Sequence, residues 1–188
     1  HALPVTRGTL LMVHAATAMT IIAVPLAGST LLVGVMQAIR FGPDPSHLFF
    51  LLLDLFGWLV CTFAIYAVTT FVCVCTGTVF DSFILSGALL VVPPAVSWIG
   101  LALADSFLFG WSGGGIRVPG YLSPVTLAVM RILDGMTYGP EQGRMAAKSG
   151  VALLVWLAIG ALVLLAARRL YRVRRTEIAE TTASRGVL

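Results

Sequence analysis

Charged residues fall along this chain in a few short groups, and the stretches between them are long and apolar. After Arg7 no Asp, Glu, Lys or Arg occurs until Arg40, so residues 10–39 hold one uninterrupted candidate span. Crossing ~30 Å of hydrocarbon at 1.5 Å per residue takes about 20 apolar residues, and a longer run is accommodated by tilt. A turn-rich break at Gly42, Pro43, Asp44 and Pro45 leads into a second apolar run at 48–75. Thr76-Gly77-Thr78 and Asp81 interrupt the pattern again, before a third run at 82–104 and a fourth at 149–167. The pattern predicts an all-α polytopic membrane protein with four transmembrane helices.

Within these spans proline and small residues set expectations for shape. Pro25 removes one backbone donor from the first helix and predicts a kink, and Pro93-Pro94 predicts that the third helix ends, bends or splits there. Ala16, Thr20, Ala23 and Ala27 form a small-residue stripe at helical spacing, the kind of face against which another helix packs closely. From 105 to 148 the composition turns to glycine, proline and mixed charge, as in Gly113-Gly114-Gly115 and Gly139-Pro140. Inside this long loop, 122–133 is apolar but carries Arg131 and is too short to span, which predicts a re-entrant or interfacial helix.

Arg168, Arg169, Arg172, Arg174 and Arg175 stand directly behind the fourth span, against Arg144 and Lys148 at its other end. Such a cluster is a topology anchor that holds its end of the chain in the cytoplasm. Four spans then place both ends on that side and the 105–148 loop outside. The organisation expected is a cytoplasmic segment at 1–9, a transmembrane domain at 10–167 and a basic cytoplasmic tail at 168–188. The chain starts at His1, without a methionine or a signal-peptide pattern, and reads as a fragment of a longer protein.

Composition sharpens this reading. With 59% hydrophobic and 11% charged residues and a mean hydropathy of +0.98, the apolar content exceeds what a soluble domain of 188 residues buries. The net charge of +4 does not indicate nucleic acid, because the arginines flank a span rather than cover a folded basic face. Cys61, Cys73 and Cys75 all lie in the second apolar run, where cysteine serves as a small hydrophobe, and Cys73 and Cys75 point about 200° apart on a helix. No metal or cofactor site is expected from them.

Candidate chemistry is sparse. Asp54 is the one Asp, Glu, Lys or Arg in the second run and the best intramembrane polar candidate, since a charge at such a depth needs water or a partner. No second ionisable group is evident at its depth from the sequence, which favours a residue near the headgroups that hydrogen-bonds locally. His14 falls at the opposite end of its own span and reads as interfacial. The histidines are scattered, and neither His-Glu-x-x-His nor Gly-x-Ser-x-Gly occurs. Lys148-Ser149 follows Ala147 where a phosphate-binding loop requires glycine, so neither catalysis nor ATP hydrolysis is expected of this chain itself.

Two segments resemble the permease subunits of type-2 ABC exporters, in particular a family common in Gram-positive bacteria. The first, Leu3-Pro4-Val5-Thr6-Arg7, is similar to the Leu-Pro-x-(Ser/Thr)-Arg segment that enters the third helix of those permeases. The second, Leu170-Tyr171-Arg172-Val173-Arg174-Arg175-Thr176-Glu177-Ile178-Ala179, resembles the family's Leu-Tyr-x-x-Arg-x-x-Glu-x-Ala ending. Glu180 departs from the glycine usual next. The Thr76-Gly77 break and a loop carrying Ser123-Pro124 before the last helix follow in the same order.

The resemblance implies the last four of six helices of a permease that works as a homo- or heterodimer with separate ATP-binding subunits in the cytoplasmic membrane. It implies that Leu3, Pro4, Val5 and Arg7 form the coupling contact with the ATPase, and that export is driven by ATP hydrolysed in that partner. Membrane lipid is a further expected partner, with Arg172, Arg174 and Arg175 as candidates to meet anionic headgroups. Two alternatives stand beside it: a membrane assembly protein that transports nothing, and a proton-coupled secondary transporter that uses Asp54. The substrate is not legible.

Overall fold

A computed structural model of the chain describes residues 7–42, 45–76, 78–108, 118–136 and 142–173. These form α1 (Arg7–Phe41), α2 (Pro45–Thr76), α3 (Val79–Phe107), α4 (Val118–Tyr121), α5 (Pro124–Met136) and α6 (Gln142–Val173). Among the described residues no strand occurs. Four helices carry stretches long and apolar enough to cross a membrane: Gly8–Arg40, Phe49–Thr76, Val79–Phe107 and Gly150–Arg172. The shortest has 23 residues, about 35 Å of helix, which exceeds the hydrocarbon thickness. The protein is an all-α polytopic membrane protein.

Local chemistry explains the boundaries. Gly42 has φ +86° and its N–H donates to Ala38 O at 3.0 Å, so a left-handed glycine closes α1. Thr78 caps α3: Asp81 N donates to Thr78 Oγ1 (3.4 Å), and Thr78 Oγ1 donates to Asp81 Oδ2 (2.5 Å). This cap starts α3 at Val79, three residues before the expected start at 82. At the other end of the chain α6 begins at Gln142, so Arg144 and Lys148 belong to its first turns rather than to the loop.

The double proline does not end or split the third helix; α3 continues through Pro93 and Pro94 to Phe107. Keeping the helix forfeits only the bonds that proline cannot make, whereas breaking it would expose a longer run of backbone groups to hydrocarbon. Pro94 belongs to the buried face of α3, with Ser82, Ser86 and Leu90 at intervals of four.

α2 is the central element and packs on α1, α3, α5 and α6. Its face toward the core runs through Val60, Cys61, Ala64, Ala67, Val68 and Val72, and α6 contributes Leu153, Leu164 and Ala167. Gly160 lets α6 approach α2 closely: a Cβ there would lie 3.0 Å from Phe63 Cε1 and 3.3 Å from Ala64 Cα. The stripe anticipated on α1 is not such a seam within this chain. Ala16 and Thr20 are exposed and Ala23 and Ala27 only half-buried, while Ala15, one residue away, is buried. The large apolar side chains left outside, such as Ile21, Leu32 and Met36 on α1 and Phe80 and Phe83 on α3, meet lipid tails as apolar as themselves.

The start of α1 and the end of α6 lie together, since a Cβ on Gly8 would fall 2.6 Å from Arg172 Nε and 3.4 Å from Arg168 Nε. Both ends of the described chain therefore share one end of the bundle, with the α2–α3 turn. The α1–α2 turn and the α4–α5 pair belong to the other.

Candidate functional site

Ser123 and Pro124 organise the segment between the third and fourth spans. Ser123 is buried and its Oγ accepts from Val125 N at 3.2 Å, while its carbonyl accepts from Leu127 N at 3.0 Å. Pro124 occupies the first helical position, where a missing N–H has no cost. Thr126 Oγ1 donates to Ser123 O (3.0 Å) and to Gly120 O (3.2 Å), closing α5 back onto α4.

This α4–α5 pair is driven into the bundle. Leu127 is 1% exposed and packs with Val60, Cys61 and Leu153, with Tyr121 and Trp156 around them. Trp156 Nε1 donates to Tyr121 O at 2.9 Å, which fixes the junction of α4 and α5 to α6. Cys61 lies near the midpoint of the Phe49–Thr76 stretch, so Leu127 sits about halfway along the apolar length of α2. Between the two forms expected for this segment, the packing is that of a re-entrant one. Trp156→Phe keeps an aromatic side chain but removes the donor to Tyr121 and part of the ring; a loss of at least about 1 kcal/mol is expected in reversible unfolding from mixed micelles.

From that deep junction α5 runs back toward the start of α2 and brings Arg131 to Asp54. Arg131 Nη2 donates to Asp54 Oδ1 at 2.5 Å and to Leu53 O at 3.2 Å. Gly57, one turn further along α2, leaves the space the guanidinium occupies; a Cβ there would collide with it. The Arg131 side chain is 7% exposed and that of Asp54 59% exposed. The pair sits about 8 Å inside the apolar stretch of α2, counted from Phe49.

This pairing corrects the expectation for Asp54. Its partner is a residue of α5, 77 positions away, rather than a local backbone group at the headgroups. The physical reason is the re-entry of α5, which carries a charge to a depth where the loop sequence alone gives none. A usable signal was present: one acid in 48–75 and one base in 122–133, each alone in an apolar run. Opposite charges isolated in this way are stabilised by meeting. His14 keeps to its own helix, its ring Nδ1 bonded to Leu10 O at 2.9 Å.

Of the remaining candidates, Arg168, Arg169 and Arg172 lie in the last turns of α6 and Arg7 opens α1. Leu3, Pro4, Val5, Arg174 and Arg175 lie outside the described residues. Cys61 fills the core beside Leu127 as a small hydrophobe, while Cys73 and Cys75 are exposed on α2. Chemically, the Asp54–Arg131 pair is a neutral, directional clasp between a re-entrant segment and a span, and it offers no nucleophile. Comparison with protein-family models, with curated proteins and with solved structures gives no match.

Proposed function

We propose that this chain is the membrane-spanning permease subunit of an ATP-driven exporter, paired with a second permease and with separate ATP-binding subunits. The observation that supports this reading is the meeting of Gly8 with Arg168 and Arg172. Arg7, where the first exporter-like motif ends, and Leu170, where the second begins, lie at the same end of the bundle. A single cytoplasmic ATPase placed under that end meets both. The re-entrant pair between the last two spans is then the outer part of the permease, and both termini are cytoplasmic.

The clasp on Asp54 argues against a proton carrier. Asp54 is engaged by Arg131 Nη2, which α5 holds in place, whereas a carrier must free its carboxyl to exchange a proton at each cycle. Asp54→Asn retains an acceptor for Arg131, so in vesicles supplied with ATP it should transport and remain insensitive to a proton ionophore. Arg7→Ala should leave the protein inserted while uncoupling ATP hydrolysis from transport. A thiol at Ser112 should react from outside intact cells. Co-purification of an ATP-binding subunit, with crosslinks from residues 3–7, is the decisive measurement. A pH gradient alone driving transport, abolished in Asp54→Asn, would instead establish a secondary transporter.

A further inference from the structure

We infer that a phosphate-bearing anionic lipid headgroup binds between the start of α1 and the end of α6, held by Arg168 and Arg172 over Gly8. Gly8 is the first residue of the apolar stretch of α1 and Arg172 the last of that of α6, so their meeting point lies where hydrocarbon gives way to headgroups. Arg168 and Arg172 are four apart and share a helix face, and both side chains reach across to Gly8, which is buried. Like charges at that spacing repel. The first turn of α1 contains no acidic residue, and its amides present the positive end of the helix to the same place.

Positive groups converge here without a counter-charge: among the described residues no carboxylate pairs with Arg168 or Arg172. Arg168 Nε is enclosed by the protein and makes no hydrogen bond. An enclosed guanidinium N–H without an acceptor is costly, and a phosphate oxygen beside Gly8 supplies one while its negative charge offsets the repulsion between the two arginines. Glycine at position 8 is what lets the Arg172 side chain lie against the start of α1, since a Cβ would collide with its Nε. A lipid rather than a free anion is the occupant, because its acyl chains lie along the exposed apolar sides of α1 and α6, as at Val13 and Leu165. This site is independent of the exporter reading.

Native mass spectrometry of the purified, delipidated protein tests it, with phosphatidylglycerol, phosphatidylcholine and inorganic phosphate added separately. Phosphatidylglycerol should be retained in preference to phosphatidylcholine, which has no net charge, and inorganic phosphate, which has no acyl chains, should bind more weakly than phosphatidylglycerol. Arg168→Gln and Arg172→Gln should each weaken phosphatidylglycerol binding about fivefold, and Arg169→Gln, one residue off that face, by less than about twofold. Gly8→Val keeps every arginine, and with it the topology signal, yet should weaken binding as much as loss of Arg172. Equal losses at all three arginines with none at Gly8 would mean diffuse attraction and overturn the site. Equal binding of phosphatidylcholine, or of inorganic phosphate, would overturn the lipid headgroup as its ligand.

Discussion

Asp54→Leu is expected to destabilise the protein by about 2–3 kcal/mol and to release α5 from α2. Removing one partner of a buried pair leaves an uncompensated charge, which costs about 3–5 kcal/mol when both are fully enclosed. Here the Arg131 side chain is enclosed and Asp54 is more than half exposed, so the lower figure applies. Arg131→Met should cost less, because the carboxylate left behind can reach headgroup water while the methionine refills the space over Gly57. The double variant Asp54→Leu/Arg131→Met should recover at least half of the loss in Asp54→Leu. Unfolding from mixed micelles gives the energies, and hydrogen exchange along α5 reports whether the re-entrant segment has left the bundle. Additive losses in the double variant would show that the two side chains stabilise the protein separately and that no clasp exists.

The spans were legible because a bilayer imposes a crude demand, length and apolarity, that four runs meet without reference to one another. The third run shows the limit of local reasoning. Pro93-Pro94 argued for an end, a bend or a split, but in hydrocarbon the alternatives to a helix are worse, and α3 neither ends nor splits there. The re-entrant segment was legible in place, with 122–133 expected against α5 at Pro124–Met136, but not in depth. Arg131 counted only against a full span and left a re-entrant and an interfacial helix both open. It is instead the residue that clasps the segment to α2, and only the fold brings it to Asp54.

Helix pairing was the least legible part. Ala16, Thr20, Ala23 and Ala27 on α1 and Gly57, Cys61, Ala64 and Val68 on α2 have the same helical spacing of small or slim residues. Only the second set is covered, at Gly57, Cys61, Ala64 and Val68 alike. Nothing in either stripe says which partner exists in the same chain. On α1, Ala16 and Thr20 are left exposed and Ala23 and Ala27 are only partly covered.

The close approach of α2 and α6 leads to the other large effect. Gly160→Leu should destabilise the protein by about 1–3 kcal/mol, because the first added carbon already meets Phe63 and the backbone of Ala64, and the remaining atoms have no space. Ala64 is fully buried, so the strain is relieved only by separating the helices. That separation would also pull Trp156 from Tyr121 and Leu153 from Leu127, since Leu153, Trp156 and Gly160 sit on the same stretch of α6, and so loosen the re-entrant pair from its deep end. Gly160→Ala should be far milder, as a small rotation of the Phe63 ring accommodates one methyl group. Faster hydrogen exchange in α5 is therefore expected for Gly160→Leu although residue 160 does not belong to the Asp54–Arg131 clasp. If Gly160→Leu lowered stability and left exchange in α5 unchanged, the seam and the re-entrant segment would be independent units rather than one packed core.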